Sequence, residues 1–447
     1  MERFRRLAHL DKNPTLRFTL PVMLENTLTI FIGLAFSRII STISGSALAA
    51  TGMANTVMAV VFSAFTLVTT GAAVLVSRQI GAGDGPAAAD SIEQGTFLSL
   101  VISCAMTALC ILTAPQLMRL LMPTAEDALF GEAVRYYCVL MLSLPAYVLH
   151  TMLSSACRST GDSRSPMIVA LLMNVSQIAF AYLFIDVLPL EELGAGLAYV
   201  CCRLLGAALM LRALMHNHRF FVLRIRRMLR PHWDTIRRIL RIGLPISVES
   251  LFVQVGYMLA NSMSISLGTF ESGVYQIINT LNNFITLPQG ICQAVSLSAV
   301  GRLLGAQNLR GAKRTGRLIW AAGILSSLLL GGAVLLLRYP LTGLYTSDPL
   351  AVEASSELIW ILLIMDVAGV SINAIDAQLR AGGDVRYVMV VTLTAVWIIR
   401  LPLTYLFCFV MDLGVLGIYL ANTISLYYRA ILGFVRHCGK RWMTRRI

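Results

Sequence analysis

Charge is scarce in this chain. Only 13% of its 447 residues are charged, and only 23 are acidic. A soluble globular protein carries about 25% charged residues. With 57% hydrophobic residues, the chain has more apolar surface than a soluble core can hide, so the bilayer must solvate most of it. Histidine is rare, at six residues, and the nine cysteines form no CxxC pair and no Cys/His spacing that suggests a metal. They read as reduced apolar fillers. Nucleotide-binding signatures are missing too. GAGDG at 81–85 lacks the following Lys and Ser/Thr of a phosphate-cradling loop, so it reads as a turn, and ATP-driven work would need a separate subunit. No loop is long enough to be a folded soluble domain, and no segment alternates like a barrel strand. A cleavable signal peptide is not expected, because MERFRRLAHLDK leads directly into the first apolar run.

What is present is a series of long apolar runs. Twelve spans are placed at 18–40, 47–76, 95–116, 132–155, 165–187, 193–214, 240–266, 272–300, 318–338, 352–378, 386–411 and 413–435. Each is long enough to cross a bilayer as a helix, the one open structure that satisfies its own backbone there. The net charge of +13 raises the question of nucleic acid. However, the basic residues cluster between spans and form no aromatic-interleaved patch, so no nucleic-acid partner is expected. Thirty of the 36 Lys and Arg fall in the stretch to Arg17, at Arg78, and in 158–164, 212–241, 302–317, 380–386 and the tail from Arg429. With twelve spans these stretches share one side, which puts both termini in the cytoplasm of a plasma-membrane protein. PHWDTIRRIL (231–240) reads as an interfacial helix before span seven, with Trp233, Ile236, Ile239 and Leu240 on one side.

The second half of the chain repeats the first. At an offset of 224, Leu20, Pro21 and Glu25 answer to Leu244, Pro245 and Glu249, and RQIGAGD (78–84) answers to RLLGAQN (302–308). RSTGDSRSPM (158–167) answers to RAGGDVRYVM (380–389) at an offset of 222. The expectation is an all-α integral membrane protein of twelve transmembrane helices in two homologous six-helix lobes. Residues 1–225 hold spans one to six and 226–447 hold spans seven to twelve. Such duplication is a common way to build a transporter.

LRAGGD (379–384) with its twin CRSTGD (157–162), VSRQIGAGD (76–84), ALAATGMAN (47–55) and RIGLP…E (241–249) together resemble the multidrug and toxic compound extrusion (MATE) family. The likeness runs over nearly the whole chain. It implies two lobes in a V, a central cavity, and antiport of a small organic molecule, cationic or amphiphilic, against H⁺ or Na⁺, with no cofactor and no enzymatic activity. The family's acid in the first helix falls near Ala35 here. Of its Asn-x-x-x-Asp in the fifth helix, Asn174 matches but Ile178 takes the Asp position. Both acidic positions that the family would use for a cation site in the first lobe are therefore apolar here, while the second lobe keeps acids in helices seven and ten.

An ionisable side chain at membrane depth costs about 2.5–3.5 kcal/mol on insertion scales, so each one is a candidate. Glu249, Asp366 and Glu25 are the candidate cation-coupling carboxylates. Glu249 and Glu25 occupy equivalent places, which also fits a shared architectural need, such as pairing with an arginine. Asp366 lies mid-span, with Asn373 on the same face. Asp376, four residues before Arg380, reads as a local ion pair. Arg400, deep in WIIRLP, either binds an anionic group or neutralises Asp366 or Glu249. Arg203 and Arg38 read as internally paired or snorkelling. Gln276, Asn279 and Asn283 share one stripe of span eight, and with Gln254, Asn373, Arg400, Asn174 and Gln177 they form the candidate substrate cavity, unless the polar stripes glue helices together. Partners are a small-molecule substrate and the bilayer, with the protein acting as a monomer. The rival reading is a flippase for a lipid-linked or anionic substrate.

Overall fold

The structure is a computed structural model that describes residues 45–121, 127–188, 190–216, 230–346, 348–439 and 441–443, together with residues 21, 22, 25 and 228. All the regular structure among the described residues is helical. Eleven stretches are long and apolar enough to cross a membrane. The expected first span, 18–40, lies almost wholly outside the described residues, as do Asn26, Ala35 and Arg38. The chain forms two compact units, Met1–Leu244 and Pro245–Ile447.

In the first unit, α1 (Gly45–Ala82) and α2 (Gly85–Leu112) meet at the RQIGAGD turn. Gly83 takes a φ of +79°, and the Asp84 carboxylate accepts the Ala87 N–H at 3.0 Å to cap α2. The short α3 (Ala114–Leu121) leads to α4 (Asp127–Leu142). One expected span, 132–155, is two helices, because α4 stops at Ser143 and α5 (Leu144–Thr160) restarts with Pro145 in its first turn, where a missing N–H costs nothing. α6 (Arg164–Ala181) and α7 (Glu191–His216) complete the bundle. Its core joins Tyr136, Tyr137 and Leu140 of α4 to Met118 of α3 and Ala195 and Ala198 of α7.

α8 (Trp233–Ser266) starts in the first unit and ends in the second. The expected interfacial helix is its first turns, not a separate element. Ile236 and Ile239 are buried, but Trp233 is exposed, so the three do not share an environment. Asp90 of α2 anchors this start by accepting the Thr235 hydroxyl at 2.5 Å, and Gln94 accepts the His232 N–H at 2.9 Å.

The second unit repeats the plan with α9 (Thr269–Ile285), α10 (Leu287–Gly305), α11 (Leu309–Leu336), the short α12 (Arg338–Gly343), α13 (Pro349–Ala381), α14 (Val385–Leu393), α15 (Leu401–Tyr405) and α16 (Gly414–Cys438). Span eight breaks at Pro288 into α9 and α10. α14 runs into α15 through a π-helical turn, Thr394–Arg400. On α11, Ile319, Gly323, Ser327 and Gly331 recur every four residues and are buried, while Leu325, Leu328, Leu329 and Leu336 point outward. A helix that is apolar on its outer face fits a lipid surround.

Candidate functional site

Each unit contains an ion pair built from the same two repeated motifs, part-buried in the first and buried in the second. In the first, Arg158 of α5 donates to both oxygens of Glu25, at 3.1 and 3.2 Å. In the second, Arg380 of α13 donates to both oxygens of Glu249 on α8, each at 2.9 Å. The Glu pair is offset by 224 residues and the Arg pair by 222, so the contact is duplicated along with the chain. Around Glu249 the charge is compensated further. Thr392 donates its hydroxyl at 2.8 Å and Arg429 of α16 approaches to 3.6 Å. Arg429 also donates to Asp376 at 3.0 Å. The expected local pair of Asp376 with Arg380 is therefore corrected, since Arg380 turns to Glu249 and the Asp376 carboxylate takes its partner from α16. Two acids and two arginines close this cluster at zero net charge.

Asp366 sits differently. It is fully buried on α13, and its carboxylate oxygens accept from Gln289 Nε2 at 2.6 Å and from the Ser327 hydroxyl of α11. Both donors are neutral, and among the described residues Asp366 forms no ion pair. Gln289 Oε1 in turn accepts from Asn373 Nδ2 at 3.1 Å, so Asp366 and Asn373 are joined through α10 rather than directly. Gln289 was not singled out from the sequence. Its one signal there is its position immediately after Pro288. Among the described residues no group of three His, Cys, Asp or Glu could hold a metal ion.

The repeat shows which of these features the fold requires. At the same offsets, Asp366 answers to Leu144, Gln289 to Phe65 and Ser327 to Ser103. Phe65 and Leu144 pack with Val148 in an apolar cluster of the first unit. The same architecture therefore closes without the acid.

The structure brings the other candidates together only in part. Gln276, Asn279 and Asn283 all lie exposed along α9, and Gln276 donates to Asn261 Oδ1 at 2.9 Å. Gln254 is half-buried on α8. Asn174 and Gln177 are buried on α6 in the first unit, where Gln177 Oε1 lies 4.0 Å from the Cys202 sulfur of α7. Arg400 neutralises neither Asp366 nor Glu249. Buried at the end of its π turn, it lies over the Tyr257 ring, 4.3 Å from the centroid, and among the described residues its Nε has no hydrogen-bond partner. Arg203 likewise sits over an aromatic ring, 4.3 Å from the Tyr147 centroid.

Comparison with known proteins extends this geometry. A family model described as MatE matches residues 21–183 and 245–406, once per repeat. The "Probable multidrug resistance protein NorM" of Thermotoga maritima is 25% identical over 438 residues, covering 97% of this chain and 93% of that protein. An outward-facing multidrug resistance MATE transporter of the MOP superfamily shares the fold, with a TM-score of 0.88 at 20% identity over 97% of each chain. A MOP superfamily transporter from Pyrococcus furiosus, described as having a binding pocket of reverse polarity that suggests a different function, superimposes with a TM-score of 0.88 at 20% identity, over 96% of this chain and 95% of that one. With both repeats matched across most of the chain, this multi-pass membrane protein belongs to the MatE family, a family of multidrug efflux transporters and not of enzymes.

Proposed function

We propose that the protein is an ion-coupled antiporter in which Asp366 holds the coupling cation, H⁺ or Na⁺, and which exports small organic molecules across the plasma membrane by alternating access. The observation that carries this reading is the contrast between Asp366 and its repeat counterpart, Leu144. A buried carboxylate with only neutral donors is expensive to keep. The fold does not need it, and a bound cation would neutralise it. Glu249 and Glu25, by contrast, are already neutralised by arginines and serve the architecture.

Gln289 gives the acid a mechanical connection. It stands at the start of α10, next to the Pro288 break, and α9 on the other side of that break carries the exposed stripe of Gln276, Asn279 and Asn283. Exposed amides at membrane depth cannot face lipid without cost, so this stripe faces water and substrate. Cation loss at Asp366 alters the hold of Gln289 on the break and resets the angle of the stripe. One charge moved across 100 mV supplies about 2.3 kcal/mol, enough to sustain a gradient of roughly fifty-fold. The protein works as a monomer with both termini in the cytoplasm.

A second reading rests on Arg400 and Arg203, which pair with no carboxylate among the described residues. Two uncompensated guanidinium groups favour an anionic substrate or lipid-linked precursor, in keeping with the reversed pocket polarity described for the Pyrococcus furiosus transporter.

Proteoliposomes given Na⁺ and pH gradients separately test both readings. Ethidium should move under one gradient, and Asp366→Asn should abolish the gradient dependence. Undiminished gradient-driven movement in that variant removes Asp366 from the mechanism. Movement of carboxyfluorescein instead of ethidium, lost in Arg400→Gln, selects the second reading.

A further inference from the structure

We propose that the second unit binds the phosphate headgroup of an anionic membrane lipid in a cavity between α11 and α16, away from Asp366. The cavity has a volume of about 400 Å³. Lys313 and Arg317, one turn apart on α11, stand over it, with His437 of α16 in its wall. Among the described residues no carboxylate lines it, and neither Lys313 nor Arg317 forms an ion pair. Lys313 spends one donor on the Cys438 carbonyl, at 3.3 Å. Two cations are thus held side by side without compensation, an arrangement suited to a phosphate.

The walls change character along the helix axis. Beyond Arg317, Trp320 and Phe434 lie with ring centroids 5.7 Å apart, and the Trp320 indole N–H donates to Ser371 at 2.9 Å, which fixes its ring. Phe434 is 44% exposed, and its neighbours Ile431 and Val435 are also exposed apolar side chains on α16, so the aromatic end opens toward the lipid-facing surface. Charge at the helix end and aromatic surface a turn deeper match a phospholipid, with the phosphate at Lys313 and Arg317 and the acyl chain across Trp320 and Phe434. Basic pockets between transmembrane helices take such headgroups. The floor is polar but satisfied within itself. Gln378 donates to the Gly316 carbonyl at 3.3 Å and lies 2.8 Å from the His437 ring nitrogen, so the charged donors facing the cavity are Lys313, with two N–H groups beyond the one given to Cys438, and Arg317.

The duplication again separates architecture from function. At the offset of 224, Lys313, Arg317 and Trp320 answer to Ala89, Glu93 and Thr96. The first unit builds the same helix with an acid in place of the arginine, so the fold does not demand the basic pair.

The test uses the purified full-length protein in detergent and needs no transport assay. Quenching of Trp320, taken as the difference between the wild type and Trp320→Phe, is titrated with brominated phosphatidylglycerol and with brominated phosphatidylcholine. The anionic lipid should quench at much lower mole fraction. Lys313→Gln/Arg317→Gln should erase a preference of roughly thirty-fold, about fivefold per charge. Arg310→Gln/Arg314→Gln removes two exposed charges from the same helix end and should leave the preference in place. Equal quenching by the two lipids overturns the proposal, as does equal loss of preference in both double variants. A third arm titrates sodium phosphate without lipid. A response there, with no preference for phosphatidylglycerol, reassigns the cavity to a soluble phosphate and overturns the lipid assignment.

Discussion

Replacing Glu249 by Gln removes the charge that Arg380 and Arg429 both approach and leaves Asp376 alone to compensate two guanidinium groups. Breaking one partner out of a buried ion cluster costs about 3–5 kcal/mol. Glu249→Gln should therefore lower the midpoint of thermal unfolding sharply in detergent, and Arg380→Gln should do the same. Asp366→Asn should behave in the opposite way. Its amide group keeps an oxygen for Gln289 and offers an N–H to the Ser327 hydroxyl, so the change in stability should stay within about 1 kcal/mol while ion coupling is lost. A midpoint for Glu249→Gln equal to wild type would contradict the architectural role assigned to that residue. In the sequence these two acids look alike, since each is a lone carboxylate in an apolar run. What separates them is a partner 131 positions away, Arg380, which no local pattern reveals. Duplication was the available clue. Glu249 and Arg380 both have counterparts in the first half, whereas Asp366 faces Leu144.

At the scale of elements, α1 and the start of α8 cross at two glycines. A Cβ on Gly71 would lie 2.8 Å from the Ile239 carbonyl oxygen, and one on Gly243 would strike the backbone carbonyl of Leu67. Neither obstacle is a flexible side chain, so the helices must separate to admit even a methyl group. Gly243→Ala should destabilise the protein by about 1–3 kcal/mol, read as a lower unfolding midpoint and a smaller monodisperse fraction. Gly332 of α11 gives the contrast, because a Cβ there meets nothing within 4 Å. Gly332→Ala should be neutral or stabilise by up to about 1 kcal/mol. A similar loss in both variants would show that backbone contact is not what fixes Gly243. The breaks at Ser143 and Thr286 lie next to prolines and can be read from the sequence once the geometry is known. The π turn that places Arg400 cannot, because an extra residue in one turn leaves the apolar pattern of 394–400 unchanged. Trp233 misled for a related reason, as helical spacing alone put it beside Ile236 while docking of α8 on Asp90 left it exposed.

For the molecule as a whole, long apolar runs and duplicated motifs made the helical, two-unit plan legible. Composition and repetition are properties that a bilayer-solvated fold must write along its entire length. Which end faces the cytoplasm follows from a different force, the retention of Lys and Arg on one side during insertion. Thirty of the 36 such residues lie in stretches that an even number of spans places together, and the stretch from Arg429, in the last part of α16, is one of them. Cys438, the last residue of α16, is exposed, whereas Cys104 is exposed midway along the spanning helix α2. The two positions read topology against depth. In intact spheroplasts a membrane-impermeant maleimide should leave Cys438 unmodified, and it should label after the membrane is permeabilised, with Cys438→Ser as the blank. Cys104 should resist the reagent in both states, because a helix face at that depth meets hydrocarbon and not an aqueous reagent. Labelling of Cys438 before permeabilisation would place the basic segments outside and invert the topology, and the exporter and lipid-headgroup assignments would then have to be redrawn for the opposite leaflet.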